Sequence, residues 1–140
     1  MRSSIVSTSA TAVKSFERVL YVDDEPDIRE VVQLSLGLMP GVTVKVCESG
    51  EEALRHLPEF RPDIVLLDVM MPGLDGPATL ARMRSDPSTH SIPVVFMTAK
   101  ALPQELDRFM SLGAVGVISK PFDPMQLAQR VREIWATVTP

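Results

Sequence analysis

Cysteine is almost absent from this chain: Cys47 is the single one. That excludes an intramolecular disulfide and suits a reducing compartment, so a cytoplasmic location is expected. Histidine is nearly as scarce. His56 and His90 are the only two, neither has a partner at metal-ligand spacing, and both read as solvated. Basic charge is not in excess. The formal net charge is -4, which argues against direct nucleic-acid binding, since phosphate recognition needs a basic face. No apolar run is long enough to cross a bilayer. What remains is ordinary for a globular protein: 140 residues, 45% hydrophobic and 23% charged, enough for one domain with a real core.

The first 15 residues, "MRSSIVSTSATAVKS", are rich in Ser, Thr and Ala and carry no acidic residue. Ile5-Val6 is too short for a signal-peptide core, so residues 1–15 read as a flexible tail. The domain is expected over residues 16–138. Nothing but "ATVTP" follows Trp135, and no output domain is expected.

Beyond the tail, apolar runs and helical patterns alternate five times. "RVLYVDD" holds a compact strand, Val19 to Val22. The next segment places Ile28, Val31, Val32, Ser35 and Leu36 on one helical face, with Pro26 in the first turn. "GVTVKVC" alternates Val42, Val44 and Val46 against Thr43, Lys45 and Cys47, the pattern of a half-exposed edge strand. "GEEALRHL" is a short helix closed by Pro58. "IVLL", Ile64 to Leu67, is a strand buried on both faces. A helix opening at Pro77 runs through Leu80 and Met83, and "IPVVFMTA" is a fourth strand. The next helix carries Leu106, Phe109 and Met110 on one face and stops at Gly113. "AVGVIS" is a fifth strand, and a last helix carries Leu127, Val131, Ile134 and Trp135. Five βα units predict an α/β fold: a flavodoxin-like, doubly wound (βα)5 domain with a five-stranded parallel sheet in the order 2-1-3-4-5. Ligands of such sheets sit at the carboxyl ends of the strands.

The residues at those ends are Asp23-Asp24 after strand one, Asp68 after strand three, Thr98 after strand four and Lys120 after strand five. Strand two ends in Cys47-Glu48, at the sheet edge and away from the rest. Taken singly, the acids could cap helices or turns. Taken together, three neighbouring carboxylates repel unless a cation offsets them. A hard divalent ion with oxygen ligands does so, and Mg2+ (or Mn2+) suits a shallow carboxylate site that keeps several waters. With Lys120 it would bind the oxygens of a transferring phosphoryl group. A carboxylate held beside them can attack phosphorus to form an aspartyl phosphate. Asp68, central among the strands, is the best placed nucleophile, and Thr98 can donate its hydroxyl to a phosphoryl oxygen.

The motifs "VDDEPD", "LLDVMMPGLDG", "TA" (Thr98-Ala99) and "KPF" (Lys120-Pro121-Phe122), in this order and spacing, identify residues 16–138 as similar to a response-regulator receiver domain of two-component signalling, of the chemotaxis-regulator type. The resemblance implies that Asp68 accepts phosphate from a histidine kinase or histidine phosphotransfer protein. It implies that Asp24, Asp68 and the main-chain carbonyl of Met70 bind the metal directly, with Asp23 acting through water. It also implies that Lys120 binds the phosphoryl group and that Lys120-Pro121 is cis. Phosphorylation and dephosphorylation at Asp68 would be self-catalysed, although the domain is not a classical enzyme. Signalling would switch protein–protein contacts through an α4–β5–α5 or α1 face. The chain would serve as a stand-alone regulator or as a receiver from a larger protein such as a hybrid kinase.

One position departs from the family pattern. Receivers usually carry Tyr or Phe three residues before the lysine, where the ring follows the threonine inward. Here it is Val117, smaller and stiff, which predicts weak coupling between Thr98 and the α4–β5–α5 face. Met70 and Lys100, two residues past Asp68 and Thr98, flank the phosphoryl position and are candidates for slowing its hydrolysis. Leu34 lies off the core stripe of the first helix and is a candidate docking edge. Cys47 reads as an inert semi-buried thiol, and the eight methionines read as core filler.

Two other functions compete. A Mg-dependent phosphohydrolase with an aspartyl nucleophile, of the haloacid-dehalogenase type, would need a second Asp two residues after the first. That position is Met70 after Asp68, and Glu25 after Asp23. A flavin- or nucleotide-binding module would need a glycine-rich loop after strand one, where "DDEPD" would repel phosphates.

Overall fold

The computed structural model describes residues 15–138; the expected tail, except Ser15, lies outside the described residues. Five strands and five helices alternate: β1 (Arg18–Val22), α1 (Pro26–Gly37), β2 (Thr43–Cys47), α2 (Gly50–Phe60), β3 (Ile64–Asp68), α3 (Gly76–Arg84), β4 (Val94–Thr98), α4 (Pro103–Ser111), β5 (Gly116–Ser119) and α5 (Pro124–Val138). All strand pairings are parallel, and the sheet order β2-β1-β3-β4-β5 is the one the repeat predicts.

Strand side chains alternate between two apolar layers. Val19, Tyr21, Ile64, Leu66, Val95 and Met97 face Val32 and Leu36 of α1 and Leu127 and Val131 of α5. Leu20, Val22, Val65, Leu67, Val94 and Phe96 face α2, α3 and α4 through Ala53, Leu57, Leu80, Met83 and Phe109. β3 is buried along its whole length, which is why its sequence reads as an unbroken aliphatic run.

Three local expectations give way. α2 continues through Pro58 to Phe60 and ends at Arg61 (φ 51). Leu57 is buried and Phe60 packs on the core, so packing outweighs the one helical hydrogen bond that proline forgoes. β2 is the edge strand, yet Cys47 is fully buried under the α2 layer while Val44 and Val46 pack on the opposite one. Thr43 to Val46 are exposed or half-buried, as an edge strand predicts, and Cys47 alone departs from the pattern. On α4 only Phe109 is buried, packed at a tilt against Phe96 with ring centroids 5.1 Å apart, and Met110 stays exposed.

Candidate functional site

Asp23 follows β1 directly and is fully buried. Its N–H donates to the Cys47 carbonyl (3.1 Å), which extends the β1–β2 ladder by one step. Oδ1 accepts from the Glu25 N–H (3.0 Å), and Oδ2 accepts from the Tyr21 hydroxyl (2.7 Å) and Lys120 Nζ (3.1 Å). Arg29, one turn into α1, donates from Nη1 to the Asp23 carbonyl (2.7 Å). Asp68 closes β3 and is buried. Lys120 leaves β5 with its N–H on the Thr98 carbonyl (2.7 Å), so β4 and β5 hold it in register. Its ammonium lies 3.5 Å from Asp68 Oδ2 and 3.2 Å from Glu25 Oε1. Lys120-Pro121 is cis.

Oxygens of Asp23, Glu25 and Asp68 lie within 4.8 Å of one another. Three carboxylates thus share one ammonium, and negative charge remains in surplus. Burial, then the neighbouring charge of Asp23, pushes the Asp68 carboxyl up to about 7, against the pull of Lys120. Burial works against the charge of Lys120, but its hydrogen bond and attraction to Asp23, with Asp68 and Glu25, hold its pKa above the usual lysine value. Burial, then the hydrogen bond to Asp23, pushes the Tyr21 phenol far above its ordinary range, so it stays a donor. Hard oxygen donors with an uncompensated charge are the donor set a small divalent cation takes.

Above this cluster opens a cleft of about 390 Å3 lined by Glu25, Ile28, Asp68, Met70, Ala99, Lys120 and Pro121. Thr98 is buried at the end of β4, and its hydroxyl accepts the Lys100 N–H (3.0 Å). The Thr98 proton faces the Lys100 carbonyl only at 3.5 Å, too long to hold it firmly. Met70 is 74% exposed on the rim, and Lys100 is exposed beside Thr98.

The structure therefore brings Asp23, Asp68 and Lys120 together at one rim with Thr98 at the neighbouring strand end, but not every expected residue joins them. Asp24 is exposed and is not one of the three clustered acids. Glu25, the next residue, accepts from Lys120 Nζ at 3.2 Å. Val117 is half-buried and packs into the layer of Phe96 and Phe109. Cys47 is fully buried rather than semi-buried, and burial pushes its thiol up to about 12. His90 is exposed, with Nδ1 3.2 Å from the Pro87 carbonyl, and neither histidine is among the clustered acids.

Glu25, Arg29 and Tyr21 were missed as parts of the site by sequence reasoning. Only Tyr21 left a usable signal. Two residues before Asp23 on a strand, it must share that residue's face.

Among the described residues, no helix is long and apolar enough to cross a membrane. A family model described as "Response regulator receiver domain" matches residues 19–132. Response regulator Rre1 of Synechocystis sp. is 37% identical over 118 residues, 84% of this chain and 51% of that protein. DNA-binding response regulator MtrA of Mycolicibacterium smegmatis is 36% identical over 116 residues, 83% of this chain and 49% of that one. The chain thus spans about half the length of these curated relatives. Among solved structures, chemotaxis protein CheY4 of Vibrio cholerae superimposes with a TM-score of 0.78 at 28% identity, covering 86% of this chain and 99% of that one.

Proposed function

The chain belongs to the response regulator receiver family of two-component signalling, and we propose that Asp68 is its phosphoacceptor. The observation that carries this is Lys120 Nζ, held 3.5 Å from Asp68 and 3.1 Å from Asp23 at the floor of an open cleft.

In the proposed reaction an Asp68 carboxylate oxygen attacks phosphorus of a phosphohistidine supplied by a histidine kinase or histidine phosphotransfer protein. The new O–P bond forms as the P–N bond breaks, and the imidazole nitrogen keeps the bonding pair. Asp23 and Asp68, with Glu25 beside them, supply the carboxylates for Mg2+ or Mn2+; Asp24 and the Met70 carbonyl complete the proposed set. The bound ion would stabilise the charge that grows on the phosphoryl oxygens. Lys120 binds those same oxygens. Thr98 already accepts from Lys100, so it keeps its proton to donate. Met70 and Lys100 flank the cleft as modulators of phosphate lifetime.

Partner contacts are proposed on the α4–β5–α5 or α1 face, where Leu34 (68%), Leu38 (84%) and Met110 (49%) stand exposed. With Val117 in place of a ring, the coupling from Thr98 to that face is proposed to be weak. The phosphohydrolase reading lacks its acid/base, because the residue two past Asp68 is the exposed thioether of Met70.

Incubation with Mg2+ and acetyl phosphate, followed by intact mass, tests the reading. Wild type gains one phosphoryl group and Asp68→Asn gains none. No adduct on wild type, or an undiminished adduct on Asp68→Asn, would refute it.

A further inference from the structure

Tyr21 puts a hydroxyl where the surrounding layer asks for none. Its neighbours on that face of the sheet are Val19, Ile64, Leu66, Val95 and Met97, all buried and all apolar. A phenylalanine would fill the same volume without a polar atom to desolvate, and a buried hydroxyl is costly unless it finds an acceptor. It finds Asp23 Oδ2 at 2.7 Å, a short bond to an ionised group and therefore a strong one. The phenol rises from the core beneath the site and meets the carboxylate from below, while Lys120 meets the same oxygen at 3.1 Å.

The two buried acids are consequently held very differently. Every polar group of Asp23 is engaged: its N–H by Cys47, its carbonyl by Arg29, Oδ1 by Glu25, and Oδ2 by Tyr21 and Lys120. Asp68 has Lys120 at 3.5 Å on Oδ2 and faces the cleft. One acid is built to stay still and the other to react. Groups behind a metal-binding carboxylate fix its orientation, and losing one commonly weakens metal affinity tenfold or more.

We infer that Tyr21 is a positioning residue: its hydroxyl fixes the Asp23 carboxylate from within the core and so sets the affinity of the site for a divalent cation. The inference rests on the cation reading of the proposed function.

The test is Mn2+ binding to the unphosphorylated protein, followed by electron paramagnetic resonance, for wild type, Tyr21→Phe and Leu66→Val. The phenylalanine variant keeps the ring and loses one oxygen. Leu66→Val loosens the same core layer without touching a polar group. Tyr21→Phe should raise the Mn2+ Kd about tenfold. Leu66→Val should keep the wild-type Kd. Equal Kd values for Tyr21→Phe and wild type would overturn the inference. So would an equal rise in Leu66→Val, which would reduce Tyr21 to packing. Absence of Mn2+ binding by wild type itself would instead bring down the cation reading on which the inference rests.

Discussion

Replacing Asp68 by asparagine removes the proposed nucleophile, and in the metal-free protein it should also stabilise the fold. The Asp68 carboxyl is pushed from an ordinary 3.8 up to about 7, first by burial and then by Asp23. That difference is about three pH units at about 1.4 kcal/mol each. Ionised Asp68 therefore costs the native state about 4 kcal/mol, and relaxation of the site brings the expected effect to about 2–4 kcal/mol. The native value lies above the unfolded one, so between roughly pH 4 and pH 7 the native state keeps a proton that the unfolded chain has lost. Stability from this group falls as pH rises through that window and is level above it. Urea unfolding in EDTA at about pH 4.5 and about pH 8 reads the effect directly. Wild type and Asp68→Asn should differ by no more than about 1 kcal/mol at the lower pH. The variant should be more stable by about 2–4 kcal/mol at the higher one. Saturating Mg2+ should narrow the gap, because the cation stabilises wild type by binding its native state. No gain for the variant at pH 8, or a gain independent of pH, would refute the argument.

Gly76→Ala should destabilise the protein by about 2–3 kcal/mol and slow labelling of Asp68. The added Cβ would stand 2.5 Å from the Asp68 carbonyl and 2.9 Å from the Val69 Cα, both main-chain atoms; unchanged unfolding curves and labelling would contradict this. Cys47, buried and pushed up to about 12, should ignore a chromogenic thiol reagent at about pH 8 until denaturant exposes it; rapid labelling of the native protein would show the site is open. Val117→Tyr should enlarge the phosphorylation-dependent chemical-shift changes on α4, β5 and α5. Equally large changes in wild type would show that valine transmits the signal without a ring.

Much of the molecule could be read before its coordinates because its strands declare themselves. Ile64 to Leu67 has no polar position, as a strand covered on both faces should not, and the acid that follows it marks a rim. Positions decided by competition were harder. Pro58 reads as a stop, yet Leu57 and Phe60 pull the last turn of α2 onto the core. Cys47 belongs by alternation to the outer side of an edge strand, but α2 lies over that side and buries it. That Glu25 reaches Lys120 from the loop after β1 could not be read either. Spacing along a strand says nothing about that. The contact of Arg29 with the Asp23 carbonyl leaves no mark in the sequence either, since a helix arginine is equally at home in water.

Asp23 and Lys120 stand 97 residues apart in the chain. They follow directly on β1 and β5, which do not pair and are separated in the sheet by β3 and β4. Their ion pair therefore exists only when four strands have assembled in the right order. A chain still emerging during synthesis, or one that has lost its last βα unit, carries Asp68 without the ammonium proposed to bind the phosphoryl oxygens. The chemistry of the rim is thus a report on the completeness of the fold beneath it. Phosphate should pass only to chains that have finished folding.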